Sequence, residues 1–208
     1  MKLYILNINN LTEEEYIKYY SLLSPAKKER IDKYKRLKDK QLSVAGEMLV
    51  KEHISELYNT PVESIEILTN EQGKPYINNS DVQFNISHKG DIAVFAVDDE
   101  PIGVDIEVIK ATYLKAALFA FSSEEIEFIF GKTPCENNFE YCEDYSILEK
   151  FFRIWTIKEA FCKCTGKGIK DIKTVDALKF LDCATVHNGE YCIAVITDKD
   201  IKKSLCTD

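Results

Sequence analysis

The six residues Ile92-Ala93-Val94-Phe95-Ala96-Val97 carry no polar side chain. Successive side chains of an extended segment point to opposite faces, so a run that is apolar at every position must be covered on both sides. A buried central strand is therefore predicted, and it needs neighbours. Residues 82–86 and Ile102–Val108 can supply them, with residues 64–68 as a further strand candidate. Gly73-Lys74-Pro75, Lys89-Gly90-Asp91 and Asp98-Asp99-Glu100-Pro101 punctuate these stretches as turns.

Helical periodicity fills much of the rest. Between about residues 40 and 57, Leu42, Ala45, Leu49, Val50, His53 and Leu57 fall on one stripe, which predicts a helix packed on the sheet with His53 in the core. Thr12 before three glutamates and Ser24 before Pro25 are helix-start signals for two short early helices. Ser122-Ser123-Glu124-Glu125 caps another helix, and a long one resumes near Ser146 and stops at Gly166-Lys167-Gly168. Residues 131–145 are polar, acidic and rich in turn formers, and read as a mobile surface excursion.

A faint repeat runs through the chain. Residues 88–97, from His88 to Val97, resemble residues 187–196, from His187 to Ile196, and Glu47-x-x-x-Lys51 is echoed by Glu159-x-x-x-Lys163. The alternative is a chance match of two amphipathic patterns. Duplication predicts two α+β halves, residues 1–101 and 102–208.

Composition narrows the function. With 45% apolar residues in 208, the chain can bury a substantial core. No stretch approaches the ~18 apolar residues of a membrane span. The start Met1-Lys2-Leu3-Tyr4-Ile5 turns polar at Asn7 instead of continuing as a signal-peptide core, so a cytoplasmic protein is expected. Seven cysteines without a C-x-x-C pair indicate reduced thiols, with neither a disulfide framework nor a zinc site. A formal charge of −8 argues against general nucleic-acid binding, so an anionic ligand must meet a local basic patch.

In Ile102–Val108, alternation puts Asp105 and Glu107 on one face and four β-branched residues on the other. The two carboxylates can share a cation, although a solvated strand face has the same pattern. Further on, a step of about 100° per residue sets Ile154, Ile157 and Phe161 on one side of a helix. Phe152, Glu159 and Lys163 lie on the other, with Trp155 at its edge. An ordinary surface pair of this i,i+4 kind contributes only about 0.2–0.5 kcal/mol. Three carboxylates from a strand and a helix suit Mg²⁺, which prefers oxygen ligands and leaves positions open for phosphate. Lys163, Lys158 and His88 are then candidates to neutralise a polyphosphate. His88 lies in the polar stretch Asn85-Ile86-Ser87-His88-Lys89-Gly90, expected to be a turn, where a purely structural role is the alternative.

Five segments occur in an order and spacing similar to those of the 4′-phosphopantetheinyl transferases of the surfactin-synthetase-activating type. They are residues 24–30 (Ser-Pro-Ala-Lys-Lys-Glu-Arg), Gly73-Lys74-Pro75, Phe84-Asn85-Ile86-Ser87-His88, Gly103-Val104-Asp105-Ile106-Glu107, and residues 155–168 from Trp155 to Gly168. The resemblance covers most of the chain. It implies a monomeric pseudo-dimer of two similar α+β halves with coenzyme A between them. It further implies that Asp105, Glu107 and Glu159 hold Mg²⁺, that Lys27 and Arg30 grip the coenzyme's 3′-phosphate, and that Lys74, Ser87 and His88 contact its nucleotide and phosphates. Ser43 stands where the family has a threonine near the coenzyme, and Lys158 and Lys163 join the coenzyme-binding set.

The implied reaction is attack by a serine hydroxyl of an acyl, peptidyl or polyketide carrier protein on the β-phosphorus of coenzyme A. Glu159, Lys163 and His88 are the implied catalytic residues. Carrier partners in this family are usually acidic, as is this chain. Screening over ~8 Å at physiological salt lets a local basic or apolar surface govern docking. The competing readings are a catalytically silent module of the same fold, which the full set of ligands disfavours, and a metal phosphohydrolase, which leaves the basic segment and Gly73-Lys74-Pro75 without a purpose.

Overall fold

The computed structural model describes residues 1–70, 73–131, 139–166 and 168–205. It divides into two compact units, Met1–Asp99 and Glu100–Asp208.

The first unit begins with strand β1 (Lys2–Asn7), followed by helices α1 (Glu13–Ser21) and α2 (Pro25–Asp32) and the long helix α3 (Leu37–Tyr58). The hairpin β2 (Ile67–Thr69) and β3 (Pro75–Ile77) and the strands β4 (Gln83–Lys89) and β5 (Ile92–Asp98) complete it. Both early helix starts form as expected. Thr12 accepts from the Glu15 N–H while the Glu15 carboxylate receives the Thr12 N–H, and Ser24 accepts from the Lys27 N–H ahead of Pro25 at the first helical turn. Each such cap stabilises its helix by about 1 kcal/mol.

The apolar run is the middle strand of an antiparallel sheet ordered β1-β5-β4, and Ile92 through Val97 are all buried. Ala93, Phe95 and Val97 pack on Leu42, Ala45, Leu49, Val50 and Ile54 of α3, so the helical stripe covers the sheet face it was expected to cover. His53 is half-buried there, its ring stacked on Tyr4 at 3.6 Å between centroids.

Two local expectations change. Ser64 closes a short 3-10 turn (Val62–Ser64), its hydroxyl donating to the Pro61 carbonyl at 2.7 Å, so the strand starts only at Ile67. Ser87, His88 and Lys89 are strand, not turn, because they continue the β4 ladder opposite Val94, Ala93 and Ile92. Strand β1 is set by its pairing with β5, which the local sequence does not announce.

The second unit contains strand β6 (Ile102–Val108), the short strand β7 (Thr112–Tyr113), helices α4 (Ala117–Ala120) and α5 (Ser123–Phe130), strand β8 (Tyr141–Cys142) and the long helix α6 (Tyr145–Thr165). Strands β9 (Ala184–His187) and β10 (Tyr191–Thr197) and helix α7 (Asp198–Leu205) follow. Helix α6 ends where expected, at Gly166, whose φ of 70° is the left-handed conformation that glycine adopts without penalty. The excursion expected over residues 131–145 lies partly outside the described residues, and its end forms β8 against β7.

The sheet of this unit is ordered β6-β10-β9, again fully antiparallel. Each unit thus runs first strand, long helix, then a hairpin whose second strand sits in the middle. The residues that echo one another in sequence lie on corresponding elements: His88 and His187 on β4 and β9, and the two Glu-x-x-x-Lys pairs on α3 and α6. Two units of like topology with matching sequence positions are the pseudo-dimeric α+β architecture expected, and they favour duplication over chance.

Candidate active site

Gly103 explains how the second unit brings its polar residues together. It shares a face of β6 with Asp105 and Glu107, and a Cβ at this position would stand 2.0 Å from the Ala160 carbonyl oxygen and 2.4 Å from the Cys164 backbone nitrogen. Only a hydrogen fits between strand and helix here. The carboxylate face of β6 therefore lies against α6. Asp105 is 3% exposed, which excludes the solvated-face alternative, and its Oδ1 receives the Lys163 ammonium at 2.5 Å.

On α6 the spacing Phe152, Thr156, Glu159, Lys163 forms the stripe toward this sheet. Thr156 meets the Cys192 thiol, and Cys192 is paired directly opposite Glu107 on the neighbouring strand. Burial pushes that thiol up to about 11. Trp155 lies at the edge of this stripe, about 60° around the helix from Phe152. It stacks on Phe151 and contacts Phe121, on the flank that carries Lys158.

The donor set is chemically suited to a hard divalent ion. It offers only carboxylate oxygens, and the most buried of them already pairs with a cation, the Lys163 ammonium. Among the described residues, however, no three His, Cys, Asp or Glu side chains stand as a ready metal-holding group. Asp105 is held by Lys163 in this arrangement.

The first unit has a cavity of about 490 Å³. Lys27 and Arg30 of α2, Ser43 and Glu47 of α3, and His88 of β4 line it, with Leu42, Ile67 and Leu68 as apolar wall. Four residues picked from sequence therefore meet: Lys27, Arg30, Ser43 and His88. Ser87, adjacent to His88 on a strand, is buried on the opposite face of β4. Lys74 sits between the lining residues Gly73 and Pro75, its N–H held by the Asn70 side-chain oxygen at 2.8 Å. Gly73, with φ of 85°, makes that turn possible.

Comparison with known proteins settles the family. Residues 10–100 match the model of the 4′-phosphopantetheinyl transferase N-terminal domain, and residues 101–206 match that of the 4′-phosphopantetheinyl transferase superfamily. The chain is 35% identical over 174 residues to the 4′-phosphopantetheinyl transferase psf-1 of Bacillus pumilus, an overlap covering 81% of this chain and 70% of that one. It is 34% identical to the 4′-phosphopantetheinyl transferase Sfp of Bacillus subtilis, over 81% of this chain and 72% of the relative. The chain belongs to the 4′-phosphopantetheinyl transferase superfamily. A more distant relative is the mouse L-aminoadipate-semialdehyde dehydrogenase-phosphopantetheinyl transferase, 28% identical over 71% of this chain and 49% of that protein.

Lys158 requires a correction. It was expected to bind the transferase's coenzyme, but it is fully buried, with its ammonium 2.9 Å from the equally buried Glu125 carboxylate. The Ile172 and Val175 carbonyls accept its other donors. No ligand can reach it.

The repeat also shows what stands in the first unit at the positions that correspond to Asp105 and Glu107. Tyr4 pairs with Phe95 and Leu6 with Ala93, as Asp105 pairs with Ala194 and Glu107 with Cys192. Phe95 and Ala93 match Ala194 and Cys192 in the repeat, so Tyr4 and Leu6 occupy the positions of Asp105 and Glu107. An aromatic stack with His53 replaces the carboxylates there. Sequence reasoning also passed over Glu47, which is buried beside Lys27 at 3.5 Å and lines the cavity. Its spacing to Lys51, identical to that of Glu159 to Lys163, was the available signal.

Proposed function

We propose that this transferase moves the phosphopantetheine arm of coenzyme A onto a serine of an acyl, peptidyl or polyketide carrier protein, with Mg²⁺, and releases adenosine 3′,5′-bisphosphate. The close approach of β6 to α6 at Gly103 is the observation that carries the reading, because it turns Asp105 and Glu107 toward the helix of Glu159 and Lys163. Asp105, Glu107 and Glu159 are the residues that would hold the metal. Bound there, Mg²⁺ would supply positive charge to the pyrophosphate oxygens.

The chain's own residues do the remainder. Lys27 and Arg30 take the 3′-phosphate in the cavity of the first unit, with Ser43 and His88 as further partners and the apolar wall beside the base. Lys74 and Ser87 remain candidates for nucleotide and phosphate contacts. The carrier serine oxygen bonds to the β-phosphorus, and the bond from that phosphorus to the bridging oxygen breaks. The serine proton passes to Glu159, directly or through water, while Lys163 leaves Asp105 to meet the charge gathering on the departing bisphosphate. Catalysis of this kind rests mostly on positioning and charge neutralisation.

Intact mass spectrometry of several apo carrier proteins, incubated with this protein, coenzyme A and Mg²⁺, tests the reading. A gain of one phosphopantetheine group is expected and should disappear when the metal is chelated. Coenzyme binding without a mass gain on any carrier would instead support the silent module.

A further inference from the structure

Lys158 and Glu125 form a knot that neither the fold nor the chemistry so far uses. All three ammonium donors are matched: Glu125 Oε2 at 2.9 Å, the Val175 carbonyl at 2.5 Å and the Ile172 carbonyl at 3.1 Å. Glu125 is saturated in turn. Its Oε1 accepts the Ala177 N–H at 2.8 Å, and its Oε2 also accepts the Ser122 N–H at 2.8 Å as the capping box of α5. Both side chains are 0% exposed. One ion pair thus joins the start of α5, the middle of α6 and the segment from Ile172 to Ala177, which returns after the end of α6.

Its place on α6 gives the knot a consequence. Ala160, whose carbonyl abuts Gly103, is two residues beyond Lys158, about 200° around the helix. The helix is therefore held on nearly opposite sides: by backbone contact with β6, and by a buried, fully bonded ammonium. Lys158 directly precedes Glu159, and Lys163 follows within about a turn and a half.

We propose that Lys158, through Glu125, is a positioning residue that fixes the rotation of α6 and so the aim of Glu159 and Lys163. A side-chain tip lies about 5–6 Å from the helix axis, so a rotation of about 10° displaces it by about 1 Å. Misplacement of that size can cost about 100-fold in rate. The proposal rests on the assignment of Glu159 and Lys163 to the reaction.

The test compares Lys158→Met with the double variant Lys158→Met/Glu125→Gln. Removing one partner strands a buried charge, whereas neutralising both can restore stability. The double variant should therefore unfold near the wild-type temperature, yet transfer phosphopantetheine to an apo carrier about 100-fold more slowly at saturating coenzyme A. Its affinity for coenzyme A, measured by calorimetry, should stay within about threefold. Amide hydrogen exchange over residues 156–164 without metal should be faster than in wild type.

Recovery of rate in step with unfolding temperature would make the knot merely structural and overturn the proposal. If the double variant does not fold, Glu125→Gln alone decides. A rate within twofold of wild type in the folded protein refutes positioning, and a tenfold or greater loss with unchanged coenzyme affinity supports it. Asp105→Ala is measured alongside. Full Mg²⁺-dependent transfer by that variant sinks the carboxylate assignment and this proposal with it. Loss there, with recovery in the double variant, sinks only the role of Lys158.

Discussion

Replacing Gly103 by alanine adds one methyl group at the contact on which the site depends. The new Cβ would lie 2.0 Å from the Ala160 oxygen and 2.4 Å from the Cys164 nitrogen, and side-chain carbons do not remain within 3.0 Å of such atoms. Both neighbours are backbone, so no rotamer change relieves the clash. Helix and strand must separate by about 1.5–2 Å to bring the Ala160 oxygen to ordinary contact distance. Alanine in place of glycine lowers the entropy of the unfolded chain and by itself stabilises by about 0.4–1 kcal/mol. Overpacking costs about 1–3 kcal/mol, so the clash wins and the net loss is about 1–2 kcal/mol. At about 2–4 °C per kcal/mol for a chain of this size, the unfolding midpoint should fall by about 2–8 °C. Transfer should suffer much more, by about 100-fold, because the displacement carries Asp105 and Glu107 away from Glu159 and Lys163. Coenzyme binding in the first unit should be nearly unchanged. Thermal unfolding, calorimetry and single-turnover transfer measure the three quantities. Wild-type stability with transfer within a factor of two would refute the close approach and the site built on it.

Lys163→Ala should lower kcat by the equivalent of about 3–4 kcal/mol while weakening coenzyme binding far less, with Lys163→Arg recovering only part. Single-turnover transfer near the wild-type rate would return Lys163 to an ordinary ion pair. Replacing Lys27 and Arg30 together by alanine should weaken binding of coenzyme A but not of 3′-dephospho-coenzyme A, whereas equal losses would indicate general damage to α2. Burial raises the Cys192 thiol from 9.0 to about 11, so the folded state keeps its proton longer than the unfolded chain. The associated stability, on the order of 2–3 kcal/mol, is intact below pH 9 and disappears as pH rises from 9 through 11. Urea midpoints should therefore fall more steeply over that range in wild type than in Cys192→Ala, and parallel slopes would contradict the assignment.

Local patterns were legible where local physics decides them. An apolar run cannot sit at a sheet edge, so Ile92 through Val97 declared a middle strand. The stripe from Leu42 to Leu57 declared its packing face, and Thr12, Ser24, Ser122 and Gly166 marked helix ends because capping depends on neighbours in sequence. The polar composition of Ser87 and His88 resembles a loop, and only pairing with Val94 and Ala93 makes them strand.

Sequence alone fixed which groups the site could use: two carboxylates two residues apart on a strand, a Glu and a Lys one turn apart on a helix, and a basic pair three residues apart. Tertiary structure decided which of them meet. Lys158 and Lys163 are indistinguishable as sequence, yet one is buried against Glu125, thirty-three positions away, and the other reaches Asp105, fifty-eight positions away. The same holds for Gly103, whose strand position suggested nothing more than weak propensity until the backbone of α6 came to rest on it. A side chain's role follows from its partners and its access to water, and partners distant in the chain are set only when the elements pack.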